Sequence, residues 1–353
     1  MKDITIKPDA SLKKAMLQID ETAENALLVV DADHVLLGTL TDGDIRRYIL
    51  GGHELESDIS TAFQTEPTFF FQDEYTLVQA QASLTSKKID LIPILDRQHK
   101  VVDFITWESA FGDVPVAQKA LPDVPVVIMA GGMGTRLEPF TKVLPKPLIP
   151  INEKPIINHI IDRFLEFGIS DFHMLTGYKA GILKAYFDEL APEYSLRFTK
   201  ENKPLGTAGG LKLLDSQLKN PFFLTNCDVI LNVNYHDIYS MHMEKEYDLT
   251  MVVAVKDHNI PYGICELNSE GDLKQIIEKP EYSYLVNTGL YMISPELLSL
   301  IPSGEFFHIT HLIERVIEGG GKVGVFPISG NAWLDVGEWE QYRDTIKVME
   351  TQV

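Results

Sequence analysis

The fold is decided by the stretch Val126-Val-Ile-Met-Ala-Gly-Gly-Met-Gly-Thr-Arg-Leu-Glu-Pro-Phe-Thr-Lys-Val-Leu-Pro-Lys-Pro-Leu148. Its first five residues form a continuous apolar run, which is typical of a buried parallel strand. Gly131, Gly132 and Gly134 follow, and such a loop exposes backbone N–H groups and admits a polyanion closely. Arg136 then offers a planar fork for phosphate oxygens, and Lys146 offers a point charge between two prolines. A strand, a glycine loop and two cations predict a nucleoside triphosphate site.

Two common phosphate-binding motifs are absent from this stretch. It lacks G-x-x-x-x-G-K-[ST], and Leu137 stands where G-x-G-x-x-G would have its last glycine. A bare G-G-x-G would also fit an ordinary glycine turn beside solvated cations. The longer string G-G-x-G-T-R-L-x-P, followed by P-K-P, is far more specific. It resembles the N-terminal motif of the sugar-1-phosphate nucleotidyltransferases.

The composition is that of an ordinary globular protein with room for two or three domains, since 45% of the 353 residues are hydrophobic and 23% are charged. The 31 basic and 51 acidic residues give a formal net charge of −20, which argues against nucleic acid as a partner. Cys227 and Cys265 provide no disulfide framework, as is usual in a reducing cytosol. No apolar leader follows Met1 and no run approaches about 18 apolar residues. We therefore expect a cytoplasmic protein that makes no membrane contact.

Residues 1–111 contain an internal repeat. An offset of 65 residues aligns Leu12 with Leu77 and Thr41 with Thr106. Each copy, at about 1–50 and 65–111, has the pattern of a helix, a buried strand, a turn, a second strand and a second helix. Two copies are too few for a solenoid, but they can pair about a pseudo-two-fold axis.

The repeat resembles a tandem CBS-domain pair, a module that often senses adenine nucleotides and often dimerises. The first copy carries Gly38-Thr-Leu-Thr41-Asp-Gly-Asp44, in which Thr41 and Asp44 match the ribose-binding positions of the family. The second copy keeps Thr106, but Ser109 replaces the aspartate, and serine accepts poorly from two ribose hydroxyls. The resemblance thus implies at most one good adenine-nucleotide site, and we expect a homodimer or a higher homo-oligomer. The alternative is a packing or dimerisation module in which Asp44 only begins a helix.

The remainder of the chain has a different pattern. Residues 112–122 show little periodicity and predict a linker. Strands and helices then alternate over 123–353, which predicts a Rossmann-like α/β domain with a doubly wound, mostly parallel sheet. A second glycine loop, Pro204-Leu-Gly-Thr-Ala-Gly-Gly210, is expected to open a helix at about 211–218. One apolar strand ends near Asp228, and catalytic groups of open parallel sheets lie at the carboxyl ends of strands.

The transfer of a nucleotide to a sugar 1-phosphate brings two anions together. Attack on the α-phosphorus with loss of pyrophosphate needs positioning and charge neutralisation, which a hard divalent cation held by carboxylates can supply. Asp228 and Asp335 each end an apolar run and are the candidate ligands for Mg²⁺. Isolated aspartates in such places are more often structural. In the family pattern, however, these two match the metal-binding aspartates.

The resemblance also implies roles for the other site residues. Arg136 would contact the β- and γ-phosphates, and Lys146 would lie near the α-phosphate. Lys279 would hold the sugar phosphate, while Glu278 and Asn287 would take sugar hydroxyls. The nucleotide set also includes Ala130, Gly131, Gly132, Gly134, Thr135, Gly206, Thr207 and Ala208, and the sugar-phosphate set includes Tyr262, Gly263 and Thr288.

A CBS pair followed by a transferase, with no further domain before the chain ends at residue 353, is most similar to the glucosamine-1-phosphate guanylyltransferases of bacterial legionaminic acid synthesis. That resemblance implies GTP and glucosamine 1-phosphate as substrates, GDP-glucosamine as product and a role in surface polysaccharide synthesis. Alternatives within the class are a uridylyl- or thymidylyltransferase, or a guanylyltransferase for mannose or heptose 1-phosphate. An alternative of another class is a non-catalytic nucleotide sensor. The retention of both Asp228 and Asp335 argues against that alternative.

Overall fold

The computed structural model describes residues 3–22, 24–87, 89–111, 120–121 and 123–351. The chain divides into two compact units, residues 1–117 and 118–353. The expected linker, 112–122, lies outside the described residues except at 120 and 121. Within the described ranges, no helix combines the length and the apolar character needed to cross a bilayer.

The N-terminal unit is built twice from the same five elements. These are β1 (Thr5–Ile6), α1 (Leu12–Thr22), β2 (Ala26–Val30), β3 (Leu36–Thr41) and α2 (Asp42–Leu50), then β4 (Phe70–Phe71), α3 (Leu77–Lys87), β5 (Leu91–Leu95), β6 (Val101–Thr106) and α4 (Trp107–Phe111). In each copy the short first strand runs parallel to the central strand, and the third strand runs antiparallel to it. The central strands β2 and β5 are buried throughout, because every residue in each of them is apolar.

Two backbone hydrogen bonds join the copies and repeat the sequence offset. The Leu36 N–H donates to the His99 carbonyl at 3.0 Å, and the equivalent Val101 N–H donates to the His34 carbonyl at 3.1 Å. An antiparallel bridge lies between these bonds. His34 and His99 also share the same left-handed conformation, with φ of 62° and 61°. The copies therefore face each other about an approximate two-fold axis.

The C-terminal unit centres on a seven-stranded sheet. In chain order its strands and α-helices are β7 (Val126–Ala130), β8 (Pro150–Ile151), β9 (Lys154–Pro155), α5 (Ile156–Leu165), β10 (Asp171–Thr176), α6 (Ala180–Leu190), β11 (Ser195–Lys200), β12 (Phe222–Asn226), β13 (Val229–Leu231), α7 (Tyr235–Glu244), β14 (Leu249–Asn259), β15 (Ile264–Leu267), β16 (Leu273–Ile277), β17 (Glu281–Ile293), α8 (Ile309–Glu318), β18 (Val323–Ile328), β19 (Trp333–Asp335) and α9 (Trp339–Thr351). The large sheet has the order β11-β10-β7-β12-β17-β14-β18. Its neighbouring strands run parallel except at β17, which is antiparallel to both β12 and β14. The predicted α/β class with a mostly parallel sheet is confirmed.

Apolar layers cover both faces of this sheet. Val126 and Ile128 of β7 pack into a cluster that contains Phe164 of α5. Val127 packs into a separate cluster that contains Leu312 of α8. Successive side chains of a strand point to opposite faces, so a wholly apolar strand needs cover on both. The buried parallel strand predicted from this run is present.

One expected element has a different form. The helix expected at about 211–218 is a short 3-10 helix, Gly209–Leu214. It begins with Gly209 and Gly210, and glycine is costly inside an α-helix because its backbone loses the most conformational freedom. The shorter turn still delivers Leu211 and Leu214 to the core.

Candidate active site

The carboxyl ends of four parallel strands meet at one edge of the sheet. Gly131 follows β7, Gly177 follows β10, Glu201 follows β11 and Asp228 lies just beyond β12. The first two approach so closely that a Cβ on Gly177 would lie 2.7 Å from the carbonyl oxygen of Gly131. In open α/β sheets this edge is where ligands bind. The first glycine loop and the strand-end acids thus share the expected edge.

The first glycine loop turns back onto the segment that carries Lys146. Gly134 has a φ of 65°, and a Cβ there would lie 2.9 Å from Cγ2 of Thr141 and 3.1 Å from Cβ of Lys146. Glycine alone tolerates both this φ and this approach without strain. The Tyr178 hydroxyl donates to the Thr141 carbonyl at 3.2 Å and links this segment to the residues that follow β10.

Each of three cations in this segment pairs with a carboxylate. The pairs are Lys146 with Asp228, Arg136 with Glu338, and Lys142 with Glu138. The Lys146 ammonium donates to Oδ2 of Asp228, and both of these side chains are largely buried. Arg136 and Glu338 meet in solvent, with 2.7 Å between Nη1 and Oε1. The hydrogen bond to Glu338 raises the pKa of Arg136, and the charges of Asp228 and Asp335 add to that effect.

Asp335 lies beside Asp228 because β13 and β19 pair antiparallel. Val229 is the register partner of Asp335, and the Val336 N–H donates to the Asp228 carbonyl at 3.0 Å. Burial raises the pKa of Asp335 and the charge of Asp228 raises it further, while a hydrogen bond from the Gly337 N–H lowers it. Two carboxylates that repel each other in a partly buried place are a donor set suited to Mg²⁺.

The second glycine loop is fastened to the segment that leads into α8. Gly206 has a φ of 80°, and a Cβ there would lie 2.6 Å from the Phe307 carbonyl oxygen. That oxygen accepts from the Ala208 N–H at 2.9 Å. The hydroxyl oxygen of Thr207 accepts from the Ile309 N–H at 3.0 Å. The loop is therefore fastened to Phe307 and Ile309, and the Thr207 hydroxyl already has a partner in the protein.

The first group of sugar-side residues lies on β17, next to the end of β12. Thr288 is buried and its hydroxyl donates to the Val252 carbonyl at 2.9 Å. The Asn287 amide oxygen accepts from the Gly289 N–H at 3.0 Å. A Cβ on Gly289 would collide with the amide of Asn226, so this part of β17 packs directly against the end of β12, which leads to Asp228.

The second group lies around the hairpin formed by β15 and β16. Tyr262 is 74% exposed, and a Cβ on Gly263 would lie 2.7 Å from Oε2 of Glu278. Lys279 is exposed and has a φ of 45°. The fold brings together Arg136, Lys146, Asp228 and Asp335. It leaves the hairpin residues in solvent.

One residue of this edge was missed by the sequence analysis. The Glu201 carboxylate lies between the two glycine loops, because a Cβ on Gly131 would lie 3.0 Å from its Oε2 and one on Gly210 would collide with its Oε1. Burial raises the pKa of Glu201, and a hydrogen bond from the Leu205 N–H lowers it. The only sequence signal was its position directly after β11, which is weaker than the apolar run that precedes Asp228.

Comparison with known proteins gives the family. A model of the nucleotidyl transferase family matches residues 125–352. This chain belongs to the nucleotidyl transferase family. A CBS-domain model matches residues 1–51, so the N-terminal unit contains a CBS domain.

Curated relatives of this family member match its C-terminal unit. The mannose-1-phosphate guanyltransferase of Kluyveromyces lactis is 35% identical over 229 residues, which cover 60% of this chain and 61% of that protein. The enzyme of the same name from Schizosaccharomyces pombe is 32% identical over 225 residues, 61% of each chain. The chain thus spans about three fifths of the length of these curated relatives.

Solved structures show the same fold. HddC from Yersinia pseudotuberculosis has a TM-score of 0.51 and 23% identity, covering 64% of this chain and 99% of that one. A second structure of HddC, in complex with GMP-PN, has the same TM-score and 24% identity. At these identities the likeness establishes the fold of the C-terminal unit.

Proposed function

We propose that this nucleotidyl transferase moves a nucleoside monophosphate from a nucleoside triphosphate to a sugar 1-phosphate and releases pyrophosphate. The observation that carries the proposal is the cluster of Lys146, Asp228 and Asp335 beside the glycine loop, at the carboxyl edge of the sheet. A sugar-phosphate oxygen forms the new bond to the α-phosphorus. The bond between the α-phosphorus and the oxygen that bridges to the β-phosphate breaks, and pyrophosphate leaves.

The chain supplies position and charge for this step. Lys146, fixed by its buried contact with Asp228, would act at the α-phosphate, and the exposed Arg136 would contact the outer phosphates. Asp228 and Asp335 would hold a divalent cation, which when bound would neutralise charge on the phosphates. The cations of the loop segment are paired with carboxylates, so the protein alone offers little net positive charge to a triphosphate. This pairing supports the need for a divalent cation.

Glu201 supports guanine as the base. Guanine presents two adjacent N–H donors on one edge, and an ionised carboxylate is an acceptor with two oxygens. Adenine offers a donor beside an acceptor, and uracil offers one N–H between two carbonyls, so each would place an acceptor against the carboxylate. Glu201 lies between the loops that the resemblance assigns to the nucleotide. The curated relatives are named as guanyltransferases, which supports the same choice.

The base assignment is tested with Glu201→Gln. An amide replaces one acceptor with a donor, so the ratio of kcat/KM for GTP to kcat/KM for ATP should fall by about 10- to 100-fold, since a mispaired hydrogen bond costs about 1–3 kcal/mol. Glu193→Gln, at an exposed glutamate, is the control and should keep the ratio. An unchanged ratio in Glu201→Gln would remove this residue from the base site.

The sugar has two candidates with different support. The names of the relatives support mannose 1-phosphate. The order of a CBS unit followed by the transferase supports glucosamine 1-phosphate and a role in legionaminic acid synthesis. Pyrophosphate release from four nucleoside triphosphates, each with a panel of sugar 1-phosphates, decides between them. Activity with neither sugar would overturn both assignments.

Lys279 is proposed to hold the sugar phosphate. Lys279→Ala should raise KM for the sugar phosphate by about tenfold or more and leave KM for GTP nearly unchanged, since a charge-assisted contact contributes about 1.5–3 kcal/mol. Lys274→Ala is the matched control, because Lys274 lies on the same hairpin and pairs with Glu266. Equal effects on both substrates would contradict the assignment.

We further propose that residues 1–111 form a tandem CBS pair with one regulatory adenine-nucleotide site, and that the protein assembles as a homo-oligomer. An open pocket of about 240 Å³ beside α2 supports a site at Asp44, which lines it with Arg47 and Tyr48, although Thr41 and Thr106 are not among its lining residues. The Asp44 carboxylate also accepts from the N–H and hydroxyl of Thr41, as a helix cap. A ligand must therefore share or displace that cap.

Calorimetry of the full chain with AMP and ATP tests the regulatory site. Asp44→Ala should abolish binding, whereas Ser109→Ala, at the equivalent position of the second copy, should not. Bound nucleotide should change activity or oligomeric state several-fold, as expected for a coupling of about 1–3 kcal/mol. If no nucleotide binds at millimolar concentration, the unit is a structural module.

A further inference from the structure

Helix α9 packs its first turns against the strand that carries Asp335. The Thr345 hydroxyl donates to the Asp335 carbonyl at 3.3 Å, and the Tyr342 hydroxyl donates to the Pro150 carbonyl at 2.6 Å. Gln341 lies one turn before Thr345 and therefore shares its face of the helix. That face is turned toward the two aspartates.

Three side-chain oxygens converge at Gly337, just before the helix. A Cβ built on Gly337 would lie 2.9 Å from Oδ1 of Asp335, 3.4 Å from Oδ2 of Asp228 and 3.7 Å from Oε1 of Gln341. The glycine keeps this space open, since any side chain would fill it. The three oxygens therefore form a cradle around the position that a side chain at residue 337 would occupy.

The amide oxygen of Gln341 is the unsatisfied member of this cradle. Asp335 accepts from the Gly337 N–H at 2.8 Å, and Asp228 accepts from Lys146. Oε1 of Gln341 is buried and has no hydrogen-bond partner among the described residues. Leaving a buried acceptor without a hydrogen-bond partner is energetically costly, so such a group calls for a ligand.

We propose that Gln341 is a third oxygen donor of the divalent-cation site, and that its amide oxygen contacts the ion directly or through a water bound to the ion. The inference rests on the proposed metal site of Asp228 and Asp335. An amide oxygen is a ligand that hard cations accept, and it adds no further negative charge to a site that must also admit a triphosphate. Gln341 is a positioning residue for the cation.

The test is a titration of the full chain with Mn²⁺, followed by electron paramagnetic resonance. Gln341→Met keeps the length of the side chain but removes the oxygen, and should weaken Mn²⁺ binding by about 10- to 100-fold, the range typical of residues that support a metal site. Gln217→Met, the same change at an exposed glutamine, is the control and should bind as the wild type does. Gln341→Glu should bind at least as tightly as the wild type.

Thermal unfolding adds a readout that does not depend on turnover. Without metal, Gln341→Met should be as stable as the wild type or more stable, because an unpaired buried oxygen is gone. Its gain in Tm on adding Mg²⁺ should be smaller than that of the wild type.

Wild-type affinity in Gln341→Met would overturn the inference, because it would mean that the amide only packs or donates to Asp335. If the wild type itself binds no Mn²⁺, with or without GTP, the metal site of the proposed function fails instead. The two failures are thus distinct.

Discussion

Two cations of the same loop segment form ion pairs that differ mainly in their exposure to solvent. The pairs are Lys146–Asp228 and Arg136–Glu338. The side chains of Lys146 and Asp228 are 10% and 15% exposed, whereas those of Arg136 and Glu338 are 66% and 51% exposed. Removing one member of a buried pair costs about 3–5 kcal/mol, since the other charge is left uncompensated. An exposed pair contributes about 0–1 kcal/mol.

This difference separates a fixed cation from an exchangeable one. Lys146 can leave Asp228 only if another anion, such as a phosphate, takes the place of the carboxylate. Arg136 can exchange Glu338 for a phosphate at little cost, because water already screens the pair. Burial, and not formal charge, thus decides which contact is part of the folded structure and which can be replaced by a ligand.

The largest effect is expected for Asp228→Asn at the buried pair. The change keeps the shape but removes a charge that compensates Lys146 and that is proposed to hold the cation. Turnover should fall by at least about a hundredfold, and the free energy of unfolding by about 3 kcal/mol. Pyrophosphate release and urea unfolding measure the two effects.

The control for that variant is Asp344→Asn, which breaks the exposed pair between Asp344 and Lys347. It should change the free energy of unfolding by less than about 1 kcal/mol and keep turnover. Near wild-type turnover of Asp228→Asn at saturating Mg²⁺ would remove Asp228 from the metal site.

An intermediate effect is expected for Lys146→Met. Without metal, two neighbouring carboxylates lose their cation, and the protein should be destabilised by about 3 kcal/mol. Mg²⁺ should then stabilise the variant more than it stabilises the wild type, because the ion takes over the lost compensation; at ten times its Kd the gain is about 1.4 kcal/mol. Urea unfolding with and without Mg²⁺ checks this. Equal gains in both proteins would mean that the ion binds elsewhere.

The smallest effect is expected for Glu338→Gln at the exposed pair. The free energy of unfolding should change by less than about 1 kcal/mol, and KM for GTP should fall by about two- to threefold because no carboxylate competes for Arg136. Glu340→Gln, an exposed glutamate two residues on, should leave KM unchanged. A loss of stability as large as that of Asp228→Asn would contradict the conclusion that the exposed pair contributes less to stability than the buried pair.

Patterns with a strict period were sufficient to predict much of the fold. The apolar run of β7 predicted a strand buried on both faces, and Val127 and Ile128 indeed pack into opposite clusters. The offset of the repeat predicted paired copies, whose joining hydrogen bonds follow the same offset. The helix expected after the second glycine loop was wrong, because two glycines at its start favour a 3-10 turn.

The sequence could predict the position of a residue that depends on the end of one strand. It could not predict a position that depends on how several strand ends are arranged. Asp228 stood out because it follows an apolar run. Glu201 also follows a strand, but β11 is not a buried apolar run and it ends in Thr199 and Lys200, so its end carried a weaker signal. Its place between Gly131 and Gly210 arises only when the order of the strands sets those segments side by side.

By itself, the sequence determined the class of the fold, the glycine loops and the acids at strand ends, because these follow from local periodicity and local backbone freedom. Only the tertiary structure decided which cation is buried and which is exposed, that Glu201 lies between two glycine loops, and that the oxygen of Gln341 meets two carboxylates at Gly337. Desolvation and electrostatic coupling depend on distances across the fold, between residues far apart in the chain. Those distances cannot be predicted from a local sequence pattern.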